Sequence, residues 1–242
     1  MTDDTASATD SSRTELDIFA ARETNRALLS RESVAEALML LHENGLPLHP
    51  DTPKNWDTLL ALYHAVRSTA IDALVLDAGA EVYSTFLPCL AKLGYRRLLG
   101  VNLTFKEPVH NGPIEFCCGN IEALTQLADN SVGFAASLSV VEHGVDLPRF
   151  FAEMARVLVP GGCRYISTDY WGPGLSTDGI TAYGVPFRAF NADDILGMAQ
   201  IAAATGLQST GSIETEVADR VVHWRRTGLR YTFHNLLFQV SH

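Results

Sequence analysis

Between Ala73 and Thr168 the chain alternates short apolar runs with amphipathic stretches, and few folds accept that pattern. ALVLD (Ala73–Asp77), RLLGVNL (Arg97–Leu103), IEFCC (Ile114–Cys118), VGFAASLSV (Val132–Val140) and CRYIST (Cys163–Thr168) read as buried strands. TFLPCLAKLG (Thr85–Gly94) and LPRFFAEMARVL (Leu147–Leu158) read as the intervening helices. The first stops at a glycine and the second at Pro160-Gly161-Gly162. A further helix is expected over Ala192–Thr205, with Asn191 as its N-cap and Asp193 and Asp194 in its first turn. Two last strands, Leu207–Glu214 and Leu229–Val240, are separated by a charged linker. Strands alternating with helices imply a mostly parallel sheet covered on both faces, a doubly wound α/β domain.

Upstream, residues 1 to about 14 are polar and small and are expected to be a disordered tail. Residues 15–70 carry helical patterning, broken near Ser30 and again by Gly45, Pro47, Pro50 and Pro53. They read as an N-terminal helical cap on the domain formed by residues 71–242. The opening MTDDTASATDSS has no basic and then apolar region, and no apolar run reaches the ~20 residues of a membrane span. A cytoplasmic protein is therefore expected. The formal charge is −10, from 28 acids against 18 bases, so no nucleic-acid footprint is expected. The one basic cluster, Arg220, Arg225, Arg226 and Arg230, reads as a solvated face. Four cysteines without metal-ligand spacing read as reduced thiols, and no metal site is expected. Oligomeric state cannot be read from the chain.

In a doubly wound sheet the ligand crevice lies beyond the carboxyl ends of the strands. Those ends carry Asp77, Gly79 and Glu81, then Asn102, then Asn120 and Ile121, then Ser139 and Glu142-His143, then Asp169, Tyr170 and Trp171. Gly79 permits a tight turn and close backbone approach. Asn102 lies 23 residues beyond it, near the offset at which nucleotide folds place a ribose-binding side chain. Ile121 and the backbone around Asn120 could hold an adenine ring. A dinucleotide fits badly, because G-A-E-V-Y-S replaces the G-x-G-x-x-G loop and Glu81 would repel a pyrophosphate. Acids are compatible with a sulfonium.

The segment NIEALTQLADNSVGFAASLSVVEHGVDLPRFFAEMARVLVPGG, Asn120–Gly162, closely resembles the middle of class I S-adenosylmethionine-dependent methyltransferases, a match of about 43 residues in order. KNWD (Lys54–Asp57), SVVEHGVD (Ser139–Asp146), STDYW (Ser167–Trp171) and YTF (Tyr231–Phe233) resemble a bacterial subgroup linked to surface-glycan or lipid modification. The resemblance implies a seven-stranded Rossmann-like sheet with its last strand antiparallel, and S-adenosyl-L-methionine as cofactor. It implies that Asp77 and Gly79 line the methionine end, Asn102 the ribose, and Asn120-Ile121 the adenine, with Glu142 and His143 near the transferring methyl. The activity implied is methyl transfer to a small-molecule, lipid or glycan acceptor. His143 and Asp169 are the candidate bases, and Tyr170, Trp171 and Trp56 the candidate substrate contacts. The long segment from Trp171 to Ala189 suggests a lid.

Four departures from the family pattern stand out. Glu81 and Tyr83 replace glycines of the first loop, Asn102 replaces the acid ending strand two, and Asn120 replaces the adenine acid. Ser131-Val132-Gly133 stands at the family's S-F-D. These departures motivate the alternative reading, a methyltransferase-fold protein that binds a metabolite or partner without methyl transfer.

Overall fold

The computed structural model describes residues 3–172, 174–182 and 184–241, with side chains from Arg13 onward. Its elements in chain order are α1 (Asp3–Glu23), α2 (Arg31–Glu43), α3 (Lys54–Ser68), β1 (Val75–Ala78), α4 (Phe86–Lys92), β2 (Leu98–Asn102), β3 (Val109–Asn111), β4 (Ile114–Cys118), β5 (Val132–Leu138), α5 (Leu147–Val157), β6 (Leu158–Tyr170), β7 (Thr181–Ala182), β8 (Val185–Pro186), α6 (Ala192–Ala204), β9 (Leu207–Ser209), β10 (Val222–Trp224) and β11 (Leu229–Val240).

The main sheet runs β10-β11-β6-β5-β1-β2-β4-β3, with β9 also pairing β11. β4, β2, β1, β5 and β6 are mutually parallel. β11 enters antiparallel between β6 and the pair β9 and β10. The expected seven-stranded Rossmann-like sheet with an antiparallel last strand is therefore present, extended by β3 and β10. The chain winds outward from β1 to β2 and β4, then returns across β1 to β5, so the strand order reverses between β1 and β5.

Alternation along the strands divides the core in two. Val75, Phe134, Ala136 and Tyr165 face α3, α4 and the N-terminal helices. Leu76, Ala135 and Ile166 face α5 and α6, where Phe150, Met154, Ile195 and Met198 pack. α5 is tied down at both ends. Asp146 Oδ1 accepts the Arg149 N–H at its start, and Arg156 reaches Glu153 and the Leu124 and Leu127 carbonyls near its end.

Three differences from the expected elements have simple causes. The backbone is helical from Asp3, not irregular to residue 14, in keeping with an acidic start that favours a helix N-terminus; residues 1 and 2 of the expected tail lie outside the described residues. β6 runs back through Pro160-Gly161-Gly162 to Leu158, because a register shift between Val132 and Phe134 absorbs the extra residues as a bulge. The strand expected over Leu207–Glu214 ends at Ser209, and part of the expected linker forms β10. The cap is held on the sheet by a buried polar seam. Asn25, at φ 60°, gives its N–H to Asn235 Oδ1 (3.0 Å) and accepts from the Leu237 N–H (2.7 Å), while Asn235 Nδ2 donates to the Glu23 (2.8 Å) and Arg26 (3.0 Å) carbonyls.

Candidate functional site

The reversal point brings together residues from four strand ends and the start of α3. At the end of β1, Asp77 is buried and its Oδ2 has no hydrogen-bond partner among the described residues. Burial pushes its carboxyl up to about 7, against the opposing pull of Arg164. Gly79 follows at φ 98°, a conformation that favours glycine. Its N–H donates to the Val101 carbonyl on β2 (2.7 Å). A Cβ added there would lie 2.3 Å from Val140 Cγ2, so Val140 lies directly over the glycine backbone.

At the end of β2, Asn102 spans the β1–α4 turn. Its Nδ2 donates to the Ala80 carbonyl (3.0 Å) and to Glu81 Oε1 (3.2 Å), and its Oδ1 accepts the Thr104 N–H. The carboxamide thus holds Glu81 beside the turn, and burial moves the Glu81 carboxyl upward. Tyr83 stays exposed, its ring edge-on to His49. Beyond β4, Asn120 is exposed and its Oδ1 accepts the Glu122 N–H (2.9 Å), a turn role. Ile121 is buried on the α5 face.

The acid-rich part of the site lies past β5 and β6. Ser139 takes φ 53°, which turns the chain sharply after β5. Its hydroxyl accepts from the Lys54 ammonium and lies 3.5 Å from Asp169 Oδ1. Lys54 also donates to Asp57 Oδ2 at 3.0 Å, and Asp57 in turn accepts from Ser167 at 2.6 Å. Asp169 is buried, and burial followed by the neighbouring Glu142 carboxylate moves its carboxyl well above the usual range, against Lys54 and a hydrogen bond from Tyr231. Glu142 turns toward β6, where it accepts from Thr168 Oγ1 (3.2 Å) and the Asp169 N–H (3.1 Å). His143 is half-buried in the following turn, and burial lowers its pKa against the pull of Glu142, which keeps the imidazole neutral at pH 7.

Asp77, Gly79, Glu81, Asn102, Ser139, Glu142, His143 and Asp169 therefore gather at the strand ends, as expected. Two of the expected substrate contacts do not. Tyr170 is buried on the opposite face of the sheet, its hydroxyl on the Thr215 carbonyl (2.6 Å) and its ring edge-on to His234. Consecutive strand residues point to opposite faces, so Asp169 and Tyr170 cannot share a pocket. Trp56 is wholly buried with its indole N–H on Glu23 Oε2 (2.9 Å). On α3 it is Lys54 and Asp57, three residues apart, that reach the strand ends, while Trp56 packs into the cap. Trp171 is half-exposed with the Arg220 guanidinium 4.5 Å from its ring centre. The segment after it carries the short β7–β8 hairpin and packs Leu175, Ile180 and Phe187 onto the core; its Pro173 and Tyr183 lie outside the described residues. Asp57, Ser167, Tyr231 and Phe233 were not singled out as site residues. An acid three residues after a lysine at a helix start was the one legible signal.

The donor set fits a sulfonium nucleoside. An unpartnered buried carboxylate oxygen at Asp77, a glycine turn beside it, a carboxamide at Asn102 and an apolar wall at Ile121 are the groups such a ligand needs. Among the described residues, Val140 obstructs the approach to Gly79.

Residues 76–166 match the family model described as a methyltransferase domain. Over 72 residues the chain is 40% identical to the biotin biosynthesis bifunctional protein BioHC of Cellvibrio japonicus (strain Ueda107), a stretch that is 30% of this chain and only 14% of that protein. A putative sarcosine dimethylglycine methyltransferase from Galdieria sulphuraria superposes with a TM-score of 0.56 at 16% identity, over 96% of this chain and 98% of the other. The 1,6-didemethyltoxoflavin-N1-methyltransferase of Burkholderia thailandensis, crystallised with 1,6-didemethyltoxoflavin and S-adenosylhomocysteine, superposes with a TM-score of 0.55 at 16% identity, over 86% and 87%. Among the described residues no helix is long and apolar enough to cross a membrane.

Proposed function

We propose, from the methyltransferase-domain match over residues 76–166, that the chain is a class I S-adenosylmethionine-dependent methyltransferase that transfers a methyl group from S-adenosyl-L-methionine to a small-molecule, lipid or glycan acceptor in the cytoplasm. The observation that carries this reading is the buried, unpartnered Asp77 carboxylate oxygen beside the Gly79 turn. A buried carboxylate without a partner is costly, and a cationic ligand relieves that cost.

When bound, the cofactor supplies an electrophilic methyl group on a positively charged sulfur. Asp77 and the Gly79 backbone would hold its amino-acid end, Asn102 its ribose hydroxyls, and Ile121 with the backbone near Asn120 its adenine. Asn102 would exchange its bond to Glu81 for one to the ligand. His143 and Asp169 are the groups available to take a proton from the acceptor. His143 is neutral at pH 7, as a base must be, and Asp169 binds a proton more strongly than an exposed carboxylate. Trp171, with Arg220 stacked on it, would contact the acceptor. Alignment of acceptor and methyl supplies the larger share of the acceleration, ~7–11 kcal/mol when near-attack geometry is reached.

A second reading, metabolite or partner binding without methyl transfer, is favoured by Val140 over Gly79 and by the engagement of Asn102 with its own turn. Isothermal titration calorimetry separates the two. The proposed function predicts saturable binding of S-adenosylmethionine and S-adenosylhomocysteine, no binding of NAD, and at least tenfold weaker binding of S-adenosylmethionine to Asp77→Ala. Absence of heat with either nucleoside at millimolar concentration contradicts it.

A further inference from the structure

Lys54 lies where the cap meets the site. It opens α3, yet its ammonium reaches the strand ends, bonding Asp57 Oδ2 and Ser139 Oγ and sitting 4.4 Å from the Phe233 ring centre. Ser139 directly precedes Val140, which touches Gly79, so the ammonium is tied to the same turn that borders the nucleoside crevice. Asp57, Asp169 and Glu142 surround it, and their attraction outweighs the cost of burial and holds the ammonium charged. Its side chain is 16% exposed, so little water screens it. A counter-ion for buried acids need not stand at a ligand crevice, and other charges of the cap, such as Glu23, are satisfied far from it.

We propose that Lys54 is a charge-selecting residue of the cofactor site, a fixed cation that disfavours the positively charged methyl donor relative to its neutral product; the proposal rests on the cofactor reading above. In the transfer the carbon–sulfur bond breaks and its electron pair stays on sulfur, which becomes a neutral thioether. The acceptor lone pair forms the new bond to carbon, and the acceptor proton passes to His143 or Asp169. Lys54 repels the charge on sulfur before transfer and not after it. Part of that repulsion is already lost in the transition state, so the same ammonium favours transfer and makes product release slower. Asp57 and Ser139 act as its positioning residues.

The test is the ratio of two affinities, measured by calorimetry on the full chain with S-adenosylmethionine and S-adenosylhomocysteine. Removing a fixed unit charge from the crevice, at an effective dielectric constant of about 20 to 40, is expected to alter the ratio by roughly five- to thirtyfold. Lys54→Met is expected to shift the ratio of affinities toward S-adenosylmethionine by that factor, and Lys54→Arg to keep the wild-type ratio. Lys54→Gln, which retains a hydrogen-bond donor, is expected to shift it as Lys54→Met does, and serves if the methionine variant fails to fold. A ratio within twofold of wild type in a folded, neutral variant, with both affinities falling together, overturns the proposal and leaves the cofactor reading standing. Failure of the wild type to bind either ligand overturns both.

Discussion

At the residue scale, two buried charges carry the clearest consequences. The folded-state carboxyl of Asp77 is pushed up to about 7 from an ordinary 3.8. Between those values the folded chain holds a proton that the unfolded chain has released, so stability from this group is full below about pH 4 and is lost as pH rises through 7. Asp77→Asn cannot ionise. Its stability is expected to gain on that of the wild type between pH 5 and pH 8, by about 3 kcal/mol, seen as a rising difference in melting temperature. Parallel curves for the two proteins would show that Asp77 is not desolvated. Arg164 is the second case. Its three nitrogens have no hydrogen-bond partner among the described residues, and burial pushes its pKa down to about 9 with Asp77 opposing. Phe150, 4.6 Å from the guanidinium, offsets only part of that cost. Arg164→Met is expected to raise stability by about 1–3 kcal/mol in urea unfolding, and a loss of that size would contradict the placement.

At the element scale, the strand–helix alternation was legible because the central parallel strands β1, β2 and β5 are buried along nearly their whole length, while the helices are apolar on one face. β4 and β11 appear over the residues expected of them, and β1, β2 and β5 within two residues or so of each end. β10 was not legible, since VHW is too short to show a period and lies among charges. Nor was the Asn25–Asn235 seam, which joins residues 210 apart and leaves no local pattern. Asn235→Ala would strip a side-chain partner from the Asn25 N–H and the Glu23 carbonyl, while the Arg26 carbonyl keeps the residue 235 backbone N–H, and a loss of about 2 kcal/mol in urea unfolding is expected; a change below about 0.5 kcal/mol would remove the seam from the account. The turn after β5 belongs to this scale too. Val140→Ala shortens the side chain over Gly79, and S-adenosylhomocysteine is expected to bind severalfold more tightly to it. Unchanged affinity would mean that the nucleoside does not approach Gly79.

At the scale of the whole molecule, the site is assembled from two bodies of sequence. The strand ends were readable from the order of the strands, because the ligand position in such a sheet follows from topology. The contribution of the cap was harder to see. Lys54 and Asp57 come from a helix outside the alternating pattern, and only packing brings them to β5 and β6. For the same reason Trp56, which lies between them in the chain, was misassigned to the substrate: helical position turns it into the cap. Tyr170 failed by the period of two that separates it from Asp169. The charge of −10 follows this plan, since several of its acids crowd the strand ends where a cation is expected.

The most direct test of that plan is a crystal structure of the chain grown with S-adenosylhomocysteine. The nucleoside is expected between the Gly79 turn and Ile121, its ribose on Asn102, with the Val140 side chain swung away from Gly79. A nucleoside bound elsewhere, or a saturating soak that leaves Val140 seated on Gly79 and the strand ends without ligand, would contradict it.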